Sequence, residues 1–377
     1  MKLLALHQLR AVVCCCLVGA CLPVDNVAAQ QGIGPRIQAL FEQTKQAKAE
    51  ADFAAIIREC EALRTETQKA DRVAYLTKLQ AWALNKRGEV YAGQAALAEN
   101  PSHAAELDEL ALRDFEVSVN MDATRWKALH NRGVSYALQG RHDAAEADFS
   151  AAVKENPEYA NSWFNRAEIR LEAGRHAEAI SDYTQVLELT PKDLGALRGR
   201  GRSRALMGDW EPAIADFTRA LELARSDSQD SPTPEIGRVE LLVDRGLAYQ
   251  QARQWERAAV DFRAALEGDE AKLDARTLRA AAWLMAVCPD QRIRNPQLAV
   301  QKAQLAIAKE RQEGEVSAES YDTLAAALAS AGNPTKAAQV AEQALELAGR
   351  LPANERQAIE RRLRLYREGK SYRIAAR

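Results

Sequence analysis

From residue 126 onward the chain restates one pattern about every 34 residues, and a period of that length constrains the fold before any single motif is read. A unit so short cannot bury its own apolar face, so each copy must stack on its neighbours and the core must run along the array. The clearest copies begin at Trp126, Ala160 and Leu194 without a gap, and another begins at Val239 after an insert. A small residue recurs at position 8 (Gly133, Ala167, Gly201, Gly246), where two helices approach most closely. Alanine holds position 20 (Ala145, Ala179, Ala213, Ala258), an aromatic position 24 (Phe149, Tyr183, Phe217, Phe262), and a small or β-branched residue position 27 (Ala152, Val186, Ala220, Ala265). This i, i+4, i+7 spacing is one apolar helix face. Gly140, Gly174 and Gly208 mark the turn between the two helices, and Pro157 and Pro191 follow the second helix in two copies.

Together these residues resemble the consensus of the tetratricopeptide repeat (TPR), a helix-turn-helix unit, over nearly all of the chain beyond its first residues. The resemblance implies an all-α TPR α-solenoid, a right-handed superhelix of antiparallel helix pairs, with about eight hairpins and a C-terminal capping helix. Composition agrees, since aromatics make up 6% of the chain and only 12 prolines and 19 glycines interrupt a sequence rich in Ala, Leu, Glu, Arg and Gln. Weaker copies then find their places. Residues 37–80 read as an N-terminal cap whose hairpin centres on Asp52-Phe53, after a linker over 30–36. Repeats fill 81–225, and the unit from Ala81 carries extra residues that lengthen its turn around Asn100-Pro101-Ser102. A polar, turn-rich insert spans 226–238, repeats resume over 239–351, and 352–377 form the capping helix and tail. Ala286 to Asp290, containing Cys288-Pro289-Asp290, followed by Tyr321 to Ala327, resembles a C-terminal module of exported bacterial TPR proteins.

Residues 1–29 differ from the rest. Lys2 and Arg10 precede an uncharged apolar run, Ala11 to Leu22, and Val27-Ala28-Ala29 suits a signal peptidase before Gln30. The run is too short for a membrane span, which needs about 20 residues. A second cut is open at Val18-Gly19-Ala20-Cys21, which resembles a lipobox and would leave a lipid anchor on Cys21. Either cut predicts an exported chain, periplasmic or extracellular. Cys14, Cys15, Cys16 and Cys21 lie in this leader, and the two remaining thiols, Cys60 and Cys288, are too far apart in sequence for a disulfide framework or a metal site.

Position 7, usually apolar in TPR units, is arginine here (Arg87, Arg132, Arg166, Arg200, Arg245, Arg279), and position 23 is aspartate (Asp114, Asp148, Asp182, Asp216, Asp261). The last unit, with Leu324 and Val340, loses both charges together, while the unit from Leu273 keeps Arg279 but has Lys302 opposite. The pattern predicts charged hydrogen bonds between the two helices, within or between repeats.

No HExxH, G-x-S-x-G, Walker loop or paired CxxC occurs, so a non-catalytic chain without cofactor or metal is expected. An enzyme with a site in the turn inserts would need Cys288 exposed and activated. His142 and His176 share position 17 with Trp210 and Trp255 and read as packing residues. A net charge of −2, from 51 basic and 53 acidic residues, offers no field for nucleic acid. The run Arg198 to Arg204 follows repeat phase rather than a nucleic-acid motif. The TPR resemblance implies a concave face lined by the first helix of each pair. Its candidates are Lys127, His130, Asn131, Asn161, Phe164, Asn165, Arg198 and Arg202, with amides to clamp an extended backbone and cations to meet carboxylates. This resembles in kind the carboxylate clamp of some TPR domains, although the spacing does not reproduce it. The expected function is a protein-protein interaction scaffold binding an extended peptide or partner helix, the alternative being a non-catalytic subunit of an envelope enzyme or assembly complex.

Overall fold

A computed structural model describes residues 32–226, 235–267 and 273–375. The leader over 1–29, with Cys21, and the middle of the 226–238 insert lie outside the described residues. Every regular element among the described residues is helical. The chain divides into two compact units, Met1–Pro191 and Lys192–Arg377.

In the first unit antiparallel neighbours pair in chain order: α1 (Ile33–Gln46) with α2 (Glu50–Glu66), α3 (Ala70–Leu97) with α4 (Pro101–Met121), α5 (Trp126–Leu138) with α6 (His142–Glu155), and α7 (Ala160–Glu172) with α8 (His176–Leu189). Two turns differ from the sequence reading. The first lies at residues 47–49 rather than at Asp52-Phe53, and Asp52 caps α2 instead, its Oδ2 accepting from the backbone N–H of Lys48 (3.0 Å) and Ala49 (2.9 Å). The extra residues of the next hairpin do not enlarge its turn. They extend both helices, because Ala, Leu, Gln and Glu across the stretch favour helix. Asn100 and Pro101 then start α4 sharply, Asn100 Oδ1 accepting from Ser102 N–H at 2.9 Å.

The second unit holds α9 (Leu194–Met207), α10 (Trp210–Ser226), α11 (Glu235–Gln251), α12 (Trp255–Leu266), α13 (Ala275–Val287), α14 (Pro296–Glu313), α15 (Ala318–Ser330), α16 (Pro334–Leu347) and α17 (Ala353–Arg367). Helices α10 and α11 pack together across the insert, so stacking continues there. Side-chain caps start several of these helices, with Asp193, Asp274, Asn295 and Ser317 accepting from first-turn N–H groups. The last helix covers the end of the stack, burying Ile359, Leu363 and Tyr366. None of the described helices is long and apolar enough to cross a membrane.

The close approach at position 8 is measurable. A Cβ at Gly88, Gly133 or Gly201 would lie 2.5 to 2.8 Å from the ring of Phe115, Phe149 or Phe217, so each glycine makes room for the aromatic at position 24. The hairpin turns at Gly140, Gly174 and Gly208 have φ of 73°, 75° and 86°, the left-handed conformation. At the same repeat position the turn after α11 holds Arg253, with φ 61°, the one non-glycine residue of positive φ among those described.

Candidate functional site

The charged residues at positions 7 and 23 meet inside each hairpin. Arg87 with Asp114, Arg132 with Asp148, Arg166 with Asp182, Arg200 with Asp216 and Arg245 with Asp261 form two-pronged pairs, Nε and Nη2 each donating to one carboxylate oxygen at 2.7 to 3.0 Å. The aspartates are buried, so their charge requires this neutralisation. The third guanidinium nitrogen does something the periodic pattern hides. Arg166 Nη1 donates to Ser150 Oγ and Arg245 Nη1 to Thr218 Oγ1, both at 3.1 Å, and both hydroxyls sit at position 25 of the preceding repeat. At the same position Glu116 accepts from Tyr136 Oη at 3.0 Å. At Arg166 and Arg245 one side chain thus fixes its own hairpin and ties it to the preceding repeat. Arg279, which faces Lys302 by repeat phase, turns instead to Glu310 (3.3 Å) and Ser317 Oγ (2.9 Å).

The first helices of neighbouring hairpins form the candidate binding faces. In the first unit α3, α5 and α7 carry a polar cluster beside an aromatic platform. Asn131 Nδ2 donates to Asn85 Oδ1 (3.0 Å) and Glu89 Oε1 (3.3 Å), while Lys86 Nζ reaches Glu89 Oε2 at 2.6 Å. The rings of Trp126 and Tyr159 stand 4.6 Å apart, Lys127 Nζ lies 5.2 Å from the Trp126 centroid, and Asn161 Nδ2 is 3.4 Å from Tyr159 Oη. Burial and the nearby Glu89 push the Tyr159 phenol up. Lys127 is exposed, and Asn131, Asn161, Trp126 and Tyr159 are half-buried, so a ligand has access to all of them.

The remaining candidates of this unit do not reach a ligand. His130 is 3% exposed, its Nδ1 3.0 Å from Ser162 Oγ and its ring 5.0 Å from that of Tyr159, because the next helix closes over position 5. Phe164 and Asn165 are buried for the same positional reason, and both polar atoms of the Asn165 amide lack hydrogen-bond partners. These three are packing residues, a correction to the groove drawn from sequence.

Arg198, in the second unit, is corrected too. It is not free for a ligand, since its Nε donates to Asp244 Oδ2 at 2.8 Å and its Nη1 pairs with Glu240. Arg276 reaches the other oxygen of Asp244 at 2.6 Å. Farther along, Arg362 forms a two-pronged pair with Asp322 at 2.9 and 2.7 Å. A cavity of about 270 Å³ adjoins these groups, lined by Arg276, Arg279, Trp283, Glu319, Asp322 and Arg362 among others. Carboxylates already neutralise each of its arginines, so it offers an anion no uncompensated charge. Arg202 is exposed.

Sequence reading missed Trp126, Tyr159, Lys86 and Glu89. Trp126 and Tyr159 occupy the first and last positions of their repeats, next to the first turn of the helix, and their phase was the signal that could have found them. The thiols are both fully buried: burial pushes Cys60 up to about 12 and Cys288 upward as well. Neither is an activated nucleophile.

A family model for the tetratricopeptide repeat matches residues 130–193 and 170–230. No curated protein matches the chain. Among solved structures, YrrB, described as a TPR protein with an unusual peptide-binding site, is similar at 18% identity over 50% of this chain and 89% of its own, with a TM-score of 0.41. The pilF protein of Pseudomonas aeruginosa is similar at 15% identity over 60% of this chain and 93% of its own, with a TM-score of 0.45. A tetratricopeptide repeat protein of Parabacteroides merdae is similar at 14% identity over 78% of this chain and 98% of its own, with a TM-score of 0.41. None of these likenesses carries a residue or an activity over to this chain.

Proposed function

We propose that this all-α tetratricopeptide-repeat protein is a non-catalytic scaffold that holds an extended peptide or partner helix on the α3–α5–α7 face of its first unit. One observation carries the reading: exposed Lys127 and half-buried Asn161 stand beside the Trp126 and Tyr159 rings, with half-buried Asn131 on the same helix as Lys127. Carboxamides can accept and donate to a peptide backbone at once, the rings supply apolar area at small entropic cost, and Lys127 favours an acidic group on the ligand.

The same reading puts the chain outside the cytoplasm, soluble after cleavage at Ala29 or lipidated at Cys21, on the strength of its charged, apolar and small-residue leader. N-terminal sequencing of the native protein tests this directly. A chain starting at Gln30 or at a lipidated Cys21 supports export, and an intact leader in the cytoplasmic fraction ends it.

The binding face is tested by affinity capture from the native envelope with the chain itself and with a Lys127→Ala, Asn131→Ala, Asn161→Ala variant. The expected outcome is a partner held by the first and lost from the second, with an Arg202→Ala control retaining it. A partner kept equally by all three overturns the assignment of this face.

A further inference from the structure

The second unit holds a peptide already. After α17 ends, residues 371–375 run without helix or turn past the C-terminal ends of three first helices, in the order α15, α13, α11. Ser371 Oγ donates to Ala329 O at 2.9 Å, Ile374 N–H to Val287 O at 3.1 Å, and Arg373 Nη1 to Ala286 O at 3.3 Å. Arg253 Nη1, from the loop after α11, donates to Ala375 O at 3.3 Å. The acceptors on α13 are carbonyls of its last turn, which have no partner within the helix and sit at the negative end of its dipole. They suit an extended strand that brings an N–H, and a guanidinium in particular. Between the polar contacts lie two apolar seats. Tyr372 packs 6.1 Å from the Trp283 ring with the Arg362 guanidinium 5.5 Å from its own, and Ile374 joins the cluster of Ala286, Val287 and Ala326.

Two features set this segment apart from a core element. Ser371 through Ile374 are only half-buried, and a single backbone hydrogen bond ties the segment to the helices. The residue that grips its far end, Arg253, is held in the left-handed conformation where sibling repeats have glycine. A non-glycine side chain there carries a cost of about 1 kcal/mol or more. A turn alone does not require it.

We propose that the ends of α11, α13 and α15 form a second peptide-binding seat, specific for an extended hydroxyl–aromatic–basic–aliphatic sequence, which the chain's own C-terminal segment occupies in cis and which the same sequence takes in trans. This seat is separate from the face assigned in the first unit, so either assignment stands or falls alone. Occupation in cis weakens any ligand in trans by the fraction of molecules whose seat is open.

The test is fluorescence anisotropy with a labelled peptide Ser-Tyr-Arg-Ile-Ala-Ala-Arg, the sequence of residues 371–377. The receptors are the full chain and a full-length Tyr372→Ala, Ile374→Ala variant whose seat is vacated. The variant should bind at least about tenfold more tightly than the unaltered chain, as expected if fewer than one seat in ten is open. A peptide carrying alanine for tyrosine and isoleucine should bind neither. Equal binding by both receptors, or equal binding of the control peptide, overturns the proposal. Should the variant not fold, hydrogen exchange at the Ile374 amide of the unaltered chain decides. Exchange by local detachment, faster than at the Leu284 amide of α13 and insensitive to low denaturant, is expected. Exchange only through global unfolding makes the segment a fixed part of the fold and ends the proposal.

Discussion

A methyl group added at Gly133 would lie 2.8 Å from Phe149 Cε1 and at Gly88 2.5 Å from Phe115 Cε1, but at Gly246 the nearest ring atom of Phe262 is 3.1 Å away. Overpacking costs about 1–3 kcal/mol, against a gain of about 1 kcal/mol in helix propensity on replacing glycine by alanine. Gly88→Ala and Gly133→Ala should therefore lower the urea midpoint, while Gly246→Ala should leave it nearly unchanged; equal effects at all three would refute the packing account. The charged pairs follow a different rule. Asp148→Val alone strands the Arg132 guanidinium, whose side chain is only 17% exposed, and should cost about 3 kcal/mol. The last repeat shows the remedy, with Leu324 and Val340 in place of arginine and aspartate. The double variant Arg132→Leu, Asp148→Val should recover most of that loss, measured as a coupling energy in a double-mutant cycle.

At the scale of the element, the turns after α5, α7, α9 and α15 each hold a glycine in the left-handed conformation, and after α11 Arg253 takes that conformation against its own preference. Arg253→Gly should raise the thermal midpoint of the second unit by relieving about 1 kcal/mol of backbone strain, less the entropy glycine adds to the unfolded chain. A lower midpoint would mean that the Arg253 contact with Ala375 outweighs the strain. Repeat phase made the helices, their turns and the pairing of positions 7 and 23 legible, because all three repeat within the span of one unit. It did not show that α3 and α4 absorb their extra residues, since phase marks only where an insertion occurs. Nor did it show that His130, Asn165 and Arg198 are enclosed. Arg198 finds its partners, Glu240 and Asp244, in the next repeat, beyond an insert that breaks the register.

Across the whole molecule, 51 basic and 53 acidic residues nearly cancel at neutral pH, and acid unbalances them as carboxylates take up protons, so both overall charge and individual buried carboxylates enter the acid response. Asp244 and Asp322 are both buried, yet their environments act in opposite directions. Burial alone would raise Asp244, but Arg276 and Arg198 together outweigh it and hold the carboxyl below the usual range. Burial prevails at Asp322, where Arg362 is the one guanidinium in contact, and its carboxyl is raised. A depressed folded value means that Asp244 contributes stability above the unfolded carboxylate value of about 3.9 and loses it as pH falls through the folded value. A raised folded value means that Asp322 binds its proton more readily in the folded chain, so its contribution grows as pH falls through that value. Arg276→Gln removes one of the two charges opposing burial at Asp244, so the carboxyl should rise and the acid-unfolding midpoint should move to higher pH. Arg202→Gln makes the same change in net charge at an exposed position and should leave that midpoint in place. Acid titrations of the two variants followed by circular dichroism separate the explanations: a shift in the first alone assigns acid stability to the Arg198–Asp244–Arg276 cluster, and equal shifts would assign it to net charge.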